Sequence, residues 1–182
     1  MDLEQKHSLA IAARVSGIPA QTIKSYLHKS LASADAVETP GGTGNRRGYS
    51  FNAIMELTIA RFLMELGLAS KRAFQIARQF ANFGRGESGW VGEERRMPDQ
   101  LPGMPYHYAL GDTYIVAGVD CQAIVLHPKQ QEEAYDVYPI MIDVWPIFSH
   151  VVKELGGDPF KLLDDTYGIH SGADLTRFQV NG

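Results

Sequence analysis

LAIAARVSGIPAQTIKSYLHKSL, residues 9–31, holds two short helical patterns around one glycine. In the first, Leu9, Ala12, Ala13 and Val15 supply small and apolar side chains. Gly17 stands where that helix must stop, because glycine takes the left-handed conformation of a helix end without a steric penalty. Pro19 suits the first turn of the next helix: it has no N–H to leave unpaired, and its fixed φ is already helical. There Ile23, Tyr26, Leu27 and Leu31 recur at spacings of three and four, which predicts one apolar face. Two helices joined by a short glycine-bearing turn outline a helix-turn-helix.

Outward from this stretch, residues 32–49 are rich in Ala, Gly, Thr and Arg and lack a helical period. Ser50 then reads as the cap of a strong helix, FNAIMELTIARFLMELG, with Phe51, Ile54, Leu57, Phe62 and Leu66 near one face and Gly67 ending it. Ser70 reads as the cap of a further helix with Phe74, Ala77, Phe80 and Ala81 inside. Residues 84–105 are dense in Gly, Pro and charge and read as a linker. Beyond them, YHYAL and TYIVAG flank Gly111-Asp112 as a predicted hairpin, and QAIVLH and YPIMID are further strands. Asp143 begins the helix WPIFSHVVKELGG, closed by Gly156-Gly157. The fold class expected is α+β: a mainly helical unit over residues 1–83, a linker over 84–105, a small α+β domain over 106–163 and a loosely held tail over 164–182.

The chain of 182 residues has a net charge of −4 and a pI near 5.8, which would argue against nucleic acid. The charge is divided, however. Residues 1–97 hold 13 basic against 9 acidic side chains, a net of +4, and residues 98–182 hold 4 against 12, a net of −8. Within residues 14–85 the balance is 10 against 4, or +6. A basic N-terminal half restores a polyanion as a partner for that half alone. No apolar run approaches the 18 or so residues of a spanning helix, and the N-terminus does not read as a secretory signal, so no membrane and a cytoplasmic location are expected. Cys121 is the single cysteine, which excludes an intrachain disulfide and leaves a soft metal without a second thiolate.

From Leu9 onward the series becomes specific. Ser16-Gly17-Ile18-Pro19 is followed by Thr22-Ile23-Lys24-Ser25-Tyr26 and Leu31, then by GTGNRRGYSFNAIMEL at residues 42–57 and LGLASKRAFQIA at residues 66–77. Over residues 8–80 this resembles the winged helix-turn-helix of MerR-type transcription regulators. The resemblance implies a recognition helix around Lys24 and a wing that ends at Arg47, Tyr49 and Ser50. Polar and cationic groups on one face of a helix are what base edges and phosphates require, and a glycine-rich tip with Arg46-Arg47 lets charge approach the backbone or a narrow minor groove. The candidate DNA-binding residues are Arg14, Gln21, Thr22, Lys24, Ser25, Tyr26, His28, Thr43, Arg46, Arg47 and Tyr49, with the Tyr26 hydroxyl and Lys24 reaching phosphates. Ser25 and Leu27 depart from the family pattern, and Pro40-Gly41-Gly42 lengthens the wing. The long pairing helix of the family is missing, because residues 84–105 cannot form one.

Other chemistry finds little footing. GRGESG at residues 84–89 lacks the Lys-Ser/Thr ending of a phosphate loop. His107 and His127 flank strands, and Asp164, Asp165 and His170 fall in a stretch that reads as a solvated turn. Neither a cofactor, a metal nor an enzymatic activity is expected. The reading is a sequence-specific double-stranded DNA-binding transcription regulator, a homodimer held by residues after Gly103. The second domain would bind a small-molecule or protein effector, with aromatics such as Tyr106, Tyr138 and Trp145 as pocket or core. The alternative is a winged-helix protein-interaction module that does not read DNA.

Overall fold

The computed structural model describes residues 1–37, 46–84, 100–116, 123–125 and 140–169. The fold is helix-dominated α+β, with six α-helices and two small antiparallel sheets among the described residues. Helix α1 (Leu9–Ser16) opens on Ser8, whose hydroxyl accepts from the Ile11 N–H at 3.3 Å. It closes on Gly17 at φ 70°, where the Gly17 N–H donates to the Ala13 carbonyl. Helix α2 (Ala20–His28) follows Pro19 directly. Strand β1 (Asp35–Val37) then pairs with β2 (Arg46–Gly48), setting Ala36 opposite Arg47. Tyr49, just past β2, exchanges two backbone hydrogen bonds with His7, of 2.9 and 3.0 Å. The hairpin is thereby tied to the segment ahead of α1.

Helix α3 (Phe51–Glu65) starts from Ser50, which accepts from the Ala53 N–H as expected. It is the centre of the molecule, and residues 53–60 are buried on every side. A single apolar face was expected to include Phe62 and Leu66, yet these are 39% and 56% exposed. A helix surrounded by neighbours needs no polar face over its first turns, so its apolar period carries little information. Helix α4 (Ser70–Arg78) begins after Ala69, so Ser70 is its first residue and not its cap. It runs on into a π-helical turn, Gln79–Phe83, and buries Phe74, Ala77, Phe80 and Ala81.

Beyond Gln100 lie a short 3-10 turn (Tyr108–Leu110), strands β3 (Thr113–Val116), β4 (Ala123–Val125) and β5 (Met141–Asp143), and helices α5 (Val144–Glu154) and α6 (Pro159–Tyr167). The hairpin expected at Gly111-Asp112 does not form. Residues 108–110 turn back on His107, whose carbonyl accepts from the Leu110 N–H, and both edges of β3 are taken by β4 and β5. Asp143 caps α5 by accepting from the Trp145 N–H at 2.9 Å. Of the tail expected over residues 164–182, residues 164–167 form the second half of α6 and Ile169 is 2% exposed, while residues 170–182 lie outside the described residues.

A linker over residues 84–105 implied two separate cores. Instead one buried cluster includes Ala12, Val15, Phe51 and Ile54 together with Met104, Ile142, Phe148 and Val152. Phe51 and Phe148 meet edge-on at 6.2 Å between centroids. The Gly103 N–H donates to the Phe80 carbonyl, and His150 Nε2 sits 3.0 Å from the Val15 carbonyl. Arg14 pairs with the Glu154 carboxylate and also donates to its carbonyl at 3.1 Å. Composition marks 84–105 as irregular, but glycines and prolines also let backbone lie close against a core, and residues 103–106 are buried. No helix among the described residues is long and apolar enough to cross a membrane.

Candidate nucleic-acid interface

Helix α2 divides its residues by face. Ile23 is fully buried, and Tyr26 and Leu27 are half-buried against the core. Gln21, Lys24, Ser25 and His28 are exposed. Their spacing of three, one and three brings all four onto one stripe of a helix with 3.6 residues per turn. Thr22 is half-buried at the stripe's margin.

The position of α2 is set from both ends. On the N-terminal side Ser16, fully buried, donates from its hydroxyl to the Ala12 carbonyl at 2.6 Å and accepts from the Ile18 N–H at 3.3 Å. This fixes the turn into α2 without help from solvent. On the C-terminal side the Leu31 N–H reaches back to the Tyr26 carbonyl and the Ser30 N–H to the Leu27 carbonyl. The same two-bond closure ends α3 at Gly67 and α5 at Gly156. In α2 the left-handed residue is Ser30, at φ 55°. Arg78 of α4 then donates to the Leu31 carbonyl at 2.7 Å and lies 3.4 Å from Glu56, whose other oxygen accepts from Asn82 at 2.5 Å. Glu56 is fully buried in α3, and its two carboxyl oxygens are met by the Arg78 guanidinium and the Asn82 amide.

Several candidate residues take other roles. The Tyr26 hydroxyl meets the Met64 sulfur at 3.6 Å and its ring meets Phe74 edge-on at 5.0 Å, so this side chain packs α2 onto α3 and α4 and does not face outward to a phosphate. Tyr49 is 1% exposed, and burial raises its phenol above the ordinary range, with nearby Arg47 acting in the opposite sense. Arg14 is engaged by Glu154. Arg47 is exposed on β2. Arg46 is placed by its backbone on β2, opposite Val37. Thr43 and the glycine-rich tip lie outside the described residues, as do Cys121, His127, Tyr138 and His170.

Three further cations lie on α3 and α4, the helices that α2 packs against. Arg61 on α3 reaches the Ser16 carbonyl at 3.5 Å and pairs with Glu65 at 2.8 Å, which places its guanidinium over the α1–α2 turn. Lys71 and Arg72 are exposed on the first turn of α4, one turn before the Phe74 that Tyr26 touches. The excess of basic residues over 14–85 signalled them as a group. Their individual positions depend on the packing of α4, which no local motif discloses.

On the opposite side of the chain order a second polar cluster joins α6 to residues 107–108. His107 is 1% exposed, with Nε2 at 2.9 Å from Asp164 and Nδ1 at 3.2 Å from the Ala109 N–H. Because the Ala109 N–H must find an acceptor, Nδ1 carries no proton and Nε2–H donates to Asp164. The Tyr108 hydroxyl donates to the same Asp164 oxygen at 2.8 Å, and that bond is the first cause of its raised phenol pKa. The Tyr167 hydroxyl donates to the Pro105 carbonyl at 3.0 Å. Among the described residues no group of three His, Cys, Asp or Glu could hold a metal ion.

No family model matches the chain, and no curated protein matches it. The functional reading therefore rests on the α2 stripe, the hairpin and the charge.

Proposed function

We propose that this chain is a sequence-specific double-stranded DNA-binding transcription regulator whose first four helices and β1–β2 hairpin act as a MerR-like winged helix-turn-helix. The observation that carries the reading is the stripe of Gln21, Lys24, Ser25 and His28 on a helix whose reverse side is buried. Such a helix can enter a major groove and present amide, hydroxyl, imidazole and ammonium groups to base edges, while its apolar side stays on the domain. Arg47, and Arg46 beside it on the hairpin, would hold the flanking backbone. Arg61, Lys71 and Arg72 add cations on the elements that brace α2.

The test is selection from a random duplex pool with the full chain, followed by binding to the selected duplex over a range of salt. Binding is expected to weaken steeply as salt rises, because each neutralised phosphate releases counterions. A salt-independent interaction, or recovery of no sequence, overturns the reading.

We also propose a homodimer held by residues after Gly103, since one such unit reads only a few base pairs and paired half-sites supply the rest. Light scattering on the full chain checks this, and a monomer at micromolar concentration would refute it.

A further inference from the structure

Away from the α2 stripe, three aromatic side chains form a row at the surface of α5 and α6. Tyr108 and Phe160 meet edge-on at 5.3 Å, and Phe160 meets Trp145 at 4.8 Å. Phe160 is 51% exposed, Tyr108 39%, and Trp145 is half-buried. The row is anchored rather than loose. Trp145 lies 6.0 Å from Phe148, which contacts Phe51 in the core, and Tyr108 is pinned through its hydroxyl to Asp164. Helix α6 is itself fixed at its start, where Asp158 accepts from the Phe160 and Lys161 N–H groups at 2.9 and 3.0 Å. Large rings held rigidly and half in water are the composition of interface hot spots, since little conformational entropy remains to be lost on binding.

Carboxylates border the row. Asp143 precedes Trp145 by two residues and is exposed. It stands opposite Tyr114 in the β3–β5 register, and the Tyr114 hydroxyl lies 3.5 Å from Asp112, so Asp112 and Asp143 share one end of the sheet. Partial desolvation raises the Asp143 carboxyl above its usual range, with the Trp145 N–H bond acting in the opposite sense and the charge of Asp112 adding to the rise. Asp158 and Asp164 flank Phe160 along α6, with exposed Lys161 beside it. Residues 98–182 together hold 12 acidic against 4 basic side chains.

We propose that this row is a docking site for a cationic amphipathic segment of another protein. Lysine or arginine stems would lie on Phe160 and Trp145, with their charged ends toward Asp112 and Asp143. Both parts of the surface suit such a segment: ring faces attract cations, and long basic side chains carry an apolar stem beneath a charged head. Charge complementarity selects this occupant over the others. DNA would meet carboxylates, and a second copy brought face to face would set like charges against one another. The proposal is independent of DNA binding by α2.

The test uses the full chain and a fluorescein-labelled peptide of alternating Leu-Leu and Arg-Arg pairs, followed by anisotropy. A peptide with Glu for Arg and one with Gly for Leu are run alongside. The Arg-Leu peptide is expected to bind best. Phe160→Ala should weaken it roughly tenfold, a change of hot-spot size. Asp112→Asn with Asp143→Asn should weaken it several-fold and flatten its salt dependence, and asparagine keeps the α5 cap intact. Unchanged melting temperatures identify these variants as folded. Equal binding of the Arg-Gly peptide, or no response to Phe160→Ala, would reduce the interaction to bulk charge and overturn the proposal. Binding of the Glu peptide, or a fall in mass by light scattering in Phe160→Ala, would overturn it in favour of another occupant.

Discussion

Ser30 occupies a place that glycine fills at the ends of α3 and α5. Its φ of 55° costs an L-residue roughly 1 kcal/mol that glycine avoids. Ser30→Gly is therefore expected to stabilise the fold by up to about 1 kcal/mol, after subtracting the extra freedom that glycine gains when unfolded. Thermal unfolding measures this, and a lower melting temperature would refute it. The variant leaves the α2 stripe alone, so duplex affinity should not change. At the stripe itself, Lys24→Ala is expected to weaken the selected duplex by roughly tenfold with no loss of stability, as expected for an exposed side chain. Tyr49→Phe should leave duplex affinity unchanged, because the side chain is buried. A titration of each variant against the selected duplex distinguishes these outcomes. Tyr26 and Tyr49 show where sequence reading stops. A tyrosine next to cationic residues looks the same in the chain whether its hydroxyl meets a phosphate or, as for Tyr26, a methionine sulfur.

At the level of elements, local signals served where one residue type had one physical use. Gly17, Gly67, Ser50 and Asp143 mark helix ends because only a few side chains cap or reverse a helix. The hairpin expected at Gly111 failed because a Gly-Asp pair permits many turns. Which strand pairs with β3 depends on β4 and β5, and β5 lies some 25 residues further along the chain. The link between the N-terminal segment and β2 was also out of reach, since it consists of backbone bonds between His7 and Tyr49. That link has a pH dependence. Burial lowers the His7 pKa below its ordinary value of 6.5, so the folded state favours the neutral ring. Stability from this source is present above pH 6.5 and is lost as pH falls through the lowered value. After correction for the slower intrinsic exchange in acid, the protection of the His7 and Tyr49 amides is expected to fall on acidification ahead of protection in α3, and His7→Gln should abolish the difference. An equal loss of protection in both regions would rule out a local origin.

For the whole molecule, charge divides the chain into a basic N-terminal and an acidic C-terminal part, and the composition of 84–105 suggested two regions, but neither discloses how the core is shared. Surface charge reports what faces water, whereas Phe51, Phe148, Met104 and Val152 meet inside and leave no mark on the charge profile. A single core predicts one cooperative unfolding transition, with calorimetric and van't Hoff enthalpies in agreement. Two resolved transitions in a calorimetric scan would show that the halves melt apart.

The contact between Phe51 and Phe148 also sets a schedule. A ribosome makes the chain from the N-terminus at about 5–20 residues per second, so roughly five to twenty seconds separate the synthesis of these two rings. For most of that interval α3 has been made while one of its covering helices does not yet exist. Nascent chains arrested before α5 are expected to be cut by protease within residues 51–65, and those released after α6 to resist it. Until α5 and α6 have been made, the basic surface would have no rigid scaffold, and the incomplete chain would be a client for whatever shields apolar helices at the tunnel exit.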